Sequence, residues 1–336
     1  MAEKNRVWVL TSRPKGMPGR DNFELREQPI PEIRDGEFLV RNLYLSCDPT
    51  QRGWMERDTY VPAVQIGEVM RSASAGRVVA SKHPGFQEGD VVSGAFGWQD
   101  YAVSDGSGLI PPSKLPAGAP IPTCMSLLGL TGLTAYFGLL DIGKPQAGDC
   151  VLVSGAAGST GSIAAQIAKL KGARVVGIAG GARKCQWLKS EIGLDAAIDY
   201  RSEPVAERIA ELCPNGCDVY FDNVGGEILD AALANLAHKA RVVLCGAISV
   251  YNDFEGAPGI RNTVNLIIRC ASMRGFLVFE YAARIPEAVA ELARWAAEGK
   301  IKDQVDVMER LENAPDALRR LFTGDNLGKQ LVHVAD

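Results

Sequence analysis

The stretch VLVSGAAGSTGSIAAQIA (151–168) decides the fold. It begins as a short, compact apolar run, the signature of a buried strand, and turns through glycines. It then continues with Ile163, Ile167 and Leu170 at helical spacing until Gly172 stops the pattern. The turn reads A-x-G-x-x-G, with Ala156 where the first glycine of a dinucleotide-binding fingerprint would stand, then Gly158 and Gly161. Gly158 allows the backbone to approach a pyrophosphate, and Gly161 allows close packing of helix on strand. The helix start over Gly158, Ser159, Thr160, Gly161 and Ser162 then offers N–H groups at the positive end of a helix to that anion.

Outward from this turn the pattern repeats. ARVVGIAG (173–180), CDVYFDNVGG (217–226), ARVVLCGA (240–247) and MRGFLVFEY (273–281) read as strands. KCQWLKSEIG (184–193), EILDAALANLA (227–237) and PEAVAELARWAAEGK (286–300) read as helices. Strands alternating with helices of about 10–15 residues predict a doubly wound parallel sheet, an α/β Rossmann domain over 126–302. Residues 1–125 differ. EFLVRNLYLSCD (37–48), AGRVVAS (75–81), DVVSGAFGW (90–98) and QDYAVSD (99–105) are short β-prone runs between Gly, Pro and Asp, which predict an antiparallel barrel. The tail 303–336 ends in KQLVHV (329–334) and is read as a strand that completes the first domain.

At the ribose-sensing position, about 20 residues beyond the fingerprint, an acid is expected where the ligand is NAD. AGGARK (179–184) has none. Gly180 and Gly181 leave room, and Lys184, with Arg183 beside it, can pair with a 2′-phosphate. Cations in a first helical turn oppose the helix dipole, which fits a second duty for them. The expected cofactor is NADP(H).

The net charge is −4, so neither a nucleic-acid partner nor a membrane surface is expected. No apolar run approaches the length of a membrane span. The N-terminus MAEKNRVWVL lacks a signal-peptide core, so a cytoplasmic location is the expectation. The 8 cysteines lie mostly in apolar strands or helices and read as buried thiols of a reducing compartment. The 3 histidines, His83, His238 and His333, are far apart, and Cys213-Pro-Asn-Gly-Cys217 has no second pair, so no metal site is expected.

GLTAYFGLL (132–140), AAGSTGS (156–162), YFDNVGGE (220–227), CGAISVYN (245–252) and GDNLGK (324–329) together resemble the zinc-free branch of the medium-chain dehydrogenase/reductase superfamily. Within that branch they are similar to the NADP-dependent alkenal and enone double-bond reductases. The resemblance spans most of the chain. It implies a GroES-like barrel beside the Rossmann domain, an active site in the cleft between the two, and a homodimer with the GFLVFEY edge available for pairing. Residue by residue, it implies that Lys184 and Tyr200 contact the 2′-phosphate and that Asn223, which follows a strand, points into the crevice where such folds bind ligands. Cys245, Gly246, Ala247, Ile248, Ser249 and Tyr251 form the loop at the nicotinamide half. Phe276, Leu277 and Val278 meet the carboxamide, and Asn326 closes over the cofactor.

The implied activity is NADPH-dependent reduction of the C=C bond of small-molecule α,β-unsaturated aldehydes and ketones. Hydride goes to the β-carbon and leaves an enolate, which needs a preset donor. The resemblance gives that catalytic role to Tyr251. The zinc-dependent relatives carry G-H-E and a four-Cys lobe; here VQIGEVM (64–70) has no histidine. One segment departs from the family. CDPTQRGWM (47–55) has Thr50 and Gln51 where D-P-Y-M-R-G is usual, in a stretch that resembles part of the substrate wall, so Thr50 is a candidate substrate contact beside Tyr251. Two alternatives are a zinc-free NADPH:quinone oxidoreductase and a non-catalytic NADPH-binding protein.

Overall fold

The computed structural model describes residues 4–108 and 110–336. They divide into two compact units, Met1–Met125 with Val305–Asp336, and Ser126–Gln304.

The first unit is β-rich. A seven-stranded sheet contains Phe38–Ser46, Ser74–Ser81, Val91–Gly94, Tyr101–Ser104 and Ser113–Lys114 in antiparallel pairings. The C-terminal strand Lys329–His333 joins it, antiparallel to Phe38–Ser46 and parallel to Val305–Glu309. Trp8, Leu10, Phe23, Leu45, Trp54, Met55 and Trp98 pack with Leu311 and Leu318 into one core. Burial of large apolar side chains from both ends of the sequence holds the tail in place, at about 1.5–3 kcal/mol per side chain. Trp54 and Met55 are therefore core residues.

In the second unit we number the strands β1 (Cys150–Ser154), β2 (Arg174–Ala179), β3 (Ala196–Asp199), β4 (Cys217–Asp222), β5 (Leu236–Leu244) and β6 (Ser272–Gly275). All are parallel, in the spatial order β3-β2-β1-β4-β5-β6. Between them run α1 (Ser159–Leu170), α2 (Ala182–Ser190), α3 (Val205–Leu212) and α4 (Gly226–Ala234). This is the doubly wound order, in which the sequence reverses direction between β1 and β4, and a ligand crevice lies at the carboxyl ends of those strands.

The expected strand GFLVFEY is not one. β6 stops at Gly275, and Val278–Arg284 forms a 3-10 turn instead. Packing overrides the β-prone composition. The Tyr281 ring stacks on Phe137 at 4.3 Å between centroids, and Phe276 lies where a Cβ on Gly138 would come within 2.5 Å of its ring. The aromatic run is drawn onto the helix Leu130–Phe137 rather than along the sheet edge.

Candidate active site

The fingerprint turn is built on close backbone approach. A Cβ on Gly161 would stand 2.3 Å from the Gly155 carbonyl oxygen, a distance no side chain tolerates. Gly158 caps α1 in extended conformation, its N–H donating to Gly155 O (2.9 Å), and Ser162 N–H closes the first turn onto Gly158 O (3.0 Å). The N–H groups of Ser159, Thr160 and Gly161 have no acceptor inside the helix and face the end where an anion binds. Ser159 also donates its hydroxyl to Thr131 Oγ1 (2.8 Å). Gly161→Ala forces the turn apart. The expected result is about 1–3 kcal/mol lost in denaturant unfolding, with weaker dinucleotide binding; unchanged stability would mean that the contact is relaxed.

A buried carboxylate organises the ends of β1 and β4. Asp222 Oδ1 accepts from the hydroxyls of Ser154 (2.9 Å) and Tyr220 (2.6 Å) and from the N–H groups of Val224 and Gly225 (3.0 Å each). The low-dielectric surroundings push the Tyr220 phenol well up, with the Asp222 charge adding to the effect. Asp222 O takes the N–H groups of Cys245 and Gly246, so the loop after β5 is tied to the end of β4. Asn223 does not simply point into the crevice. Its amide donates back to Ser154 O (2.7 Å), and its carbonyl accepts from Ile248. Burial, with Asp222 nearby, pushes the Cys245 thiol up to about 12, so it stays a neutral thiol at neutral pH.

This scaffold carries Tyr251. The Ala247 N–H donates to its phenolic oxygen (3.1 Å), and its ring lies 5.7 Å from Phe254. An oxygen that accepts one hydrogen bond donates its own proton more strongly, because the two bonds polarise each other. Tyr251 is half-buried, on the loop that leaves the carboxyl end of β5. Phe276, Leu277 and Val278 follow β6 at the same carboxyl edge of the sheet.

At the end of β2 the two glycines have separate reasons. Gly180 faces Tyr200. A Cβ there would meet the Tyr200 ring and hydroxyl at 2.8 Å, so the glycine makes room for Tyr200. Gly181 has φ +94°, a left-handed conformation suited to glycine, and caps α2, whose first turn carries Lys184. Asp199, at the end of β3, bonds to this turn and is 9% exposed. Desolvation works to raise its carboxyl, but the N–H groups of Gly181 (2.7 Å) and Arg201 (3.0 Å), the Ser202 hydroxyl and the Arg201 charge outweigh that and hold it below its ordinary value. The carboxylate is occupied by backbone donors rather than presented to a ribose. The close glycine turn, the helix end and the absence of a free acid after β2 fit a phosphorylated dinucleotide.

In the first unit, Asn326 is buried and its amide donates to Gly328 O (3.0 Å). Thr50 Oγ1 stands 3.0 Å from the Tyr60 hydroxyl, a pairing the sequence did not reveal. Gln51 is fully buried and acts as a brace. It accepts the Asp48 N–H (2.8 Å) and donates to Arg71 O (2.9 Å), so it forms no part of an open pocket wall. The buried Lys329 ammonium pairs with Asp48 at 2.5 Å. Among the described residues, no cluster of three or more His, Cys, Asp or Glu side chains could hold a metal, and no helix is long and apolar enough to cross a membrane.

Comparison with known proteins gives a consistent picture. Residues 6–111 match the family described as N-terminal domain of oxidoreductase, and residues 159–296 match the one described as zinc-binding dehydrogenase. The chain is 42% identical to the NADPH-dependent curcumin reductase of Escherichia coli, over 99% of this chain and 98% of that protein. It is 39% identical to prostaglandin reductase 1 of Bos taurus, over 97% and 98%. The crystal structure of CurA in complex with NADPH from Vibrio vulnificus superposes with a TM-score of 0.93 at 42% identity, covering 98% of this chain and 99% of that one.

Proposed function

We infer the activity from one premise: the chain belongs to the medium-chain dehydrogenase/reductase family, in the double-bond reductase group that includes curcumin reductase and prostaglandin reductase 1. It is an NADPH-dependent reductase of the C=C bond of α,β-unsaturated aldehydes and ketones. When bound, NADPH supplies a hydride to the β-carbon of the substrate.

The observation that carries the chemistry is the Tyr251 phenol, anchored by the Ala247 N–H at the carboxyl edge of the parallel sheet. Its hydroxyl is proposed to donate to the carbonyl oxygen and to hold the enolate that forms there. A neutral phenol suits this task, since it is aimed in advance at the charge that develops and carries none itself. The α-carbon then takes a proton to complete the saturated carbonyl. The Asp222 hub keeps the Tyr251 loop and the glycine turn in fixed relation, and the first-turn N–H groups of α1 are assigned to the pyrophosphate. Thr50, with Tyr60, and Asn326 are retained as substrate-side and cofactor-side candidates in the first unit. Steady-state turnover of NADPH with an enone and with a quinone tests the assignment. Enone reduction is expected to dominate; turnover of quinones alone, or tight NADPH binding with no consumption, would contradict it.

The proposed partner is a second copy of the chain. β6 is an outer strand with largely exposed residues, so its outer backbone edge is a template for pairing. The short helix Val264–Ile268 just before it exposes Val264 (54%), Ile267 (79%) and Ile268 (63%). An apolar face beside an open edge fits a two-fold partner that supplies the same strand and the same side chains. Ile267→Asp is expected to raise the dimer dissociation constant by on the order of 10–100-fold in sedimentation equilibrium. A monomeric wild type would remove the proposal.

A further inference from the structure

We propose that Arg201, from the loop between β3 and α3, is a second cation for the 2′-phosphate beside Lys184, and that Asp199 is the residue that positions it. This rests on the NADPH reading above. A Cβ built on Gly181 meets one atom within 4 Å, the Arg201 Nη1 at 3.9 Å. The guanidinium thus borders the open side of Gly181, at the start of α2. Lys184 lies one turn into that helix, its N–H donating to Gly181 O (3.1 Å). Tyr200 and Arg201 are consecutive, with the Tyr200 ring against Gly180 and the Arg201 guanidinium beside Gly181.

The parallel pairing makes this possible. Asp199 is in register with Ala179, so the residues after β3 emerge next to those after β2. One carboxylate oxygen then fixes the arrangement. Asp199 Oδ1 receives both the Gly181 N–H and the Arg201 N–H, which ties the two loops to each other. Arginine suits the place. Its planar fork can give two parallel N–H bonds to a phosphate, and it stays charged at any working pH.

The test is calorimetric binding of 2′,5′-ADP and 5′-ADP to the full-length protein. The two probes share adenosine and the 5′-phosphate and differ only in the 2′-phosphate. Arg201→Ala is expected to weaken 2′,5′-ADP by about 10-fold, the lower end for a charge-assisted bond at a solvent-exposed patch, and to leave 5′-ADP nearly unchanged. Arg201→Gln should behave in the same way, and Arg201→Lys should retain part of the preference. Asp199→Ala, which unties the loops, should reduce the preference with Lys184 and Arg201 both present. Equal losses for the two probes, or none, would overturn the assignment of Arg201. A wild-type protein that does not distinguish the probes would instead remove the NADPH reading, and this proposal with it.

Discussion

Tyr251→Phe is expected to lower kcat for an enone by about 10²–10³-fold, the usual cost of losing one preset donor to an oxyanion. NADPH affinity should change little. The substitution removes one oxygen. The ring contact with Phe254 is retained, so the loop keeps its packing. The Ala247 N–H loses its acceptor, which costs on the order of 1 kcal/mol of stability. That loss is far too small to account for the expected fall in rate. A residue that acts only in the transition state lowers kcat and kcat/KM together, whereas one that binds substrate uniformly raises KM alone. Steady-state kinetics with a Tm for each variant separate the two. Unchanged turnover would remove Tyr251 from the mechanism.

Lys184→Glu is expected to raise the KM for NADPH by about 10–100-fold while NADH changes much less. Lys184 sits in the first turn of α2, where the helix dipole disfavours a cation. A 2′-phosphate brings a negative charge to that place. A glutamate at that place both deletes the pair and repels the phosphate, and NADH, which has no 2′-phosphate, escapes both effects. High salt should narrow the difference, because the patch is open to solvent. Equal losses for the two cofactors would refute the phosphate assignment.

Most of the Rossmann unit was legible in sequence because its signals are local. A compact apolar run, a glycine turn and a helical period follow each other within 151–168, and the same alternation recurs to residue 247. What failed depended on contacts between distant segments. GFLVFEY has strand composition, but Phe137 and Gly138, far back in the chain, take its aromatics and turn it into a helical coil. That Tyr200 lies against Gly180 was likewise not legible in the local sequence. Gln51 read as pocket wall, yet its amide braces Asp48 and Arg71. Arg201 was missed because only the β2–β3 pairing brings it to Gly181. A usable signal existed: in a parallel doubly wound sheet, residues that follow neighbouring strands share one edge, so a cation after IDY (198–200) belongs beside those after GIAGG (177–181). The Thr50–Tyr60 pair carries no comparable signal, since it joins a short helix to a loop of irregular backbone.

The most direct test of the central claim follows the hydride itself. NADPH deuterated at the transferring position is mixed with the enzyme and an α,β-unsaturated ketone, and the product is examined by NMR and mass spectrometry. The account predicts a saturated ketone with its carbonyl intact and a single deuterium on the former β-carbon. An allylic alcohol with deuterium on the carbonyl carbon would contradict it.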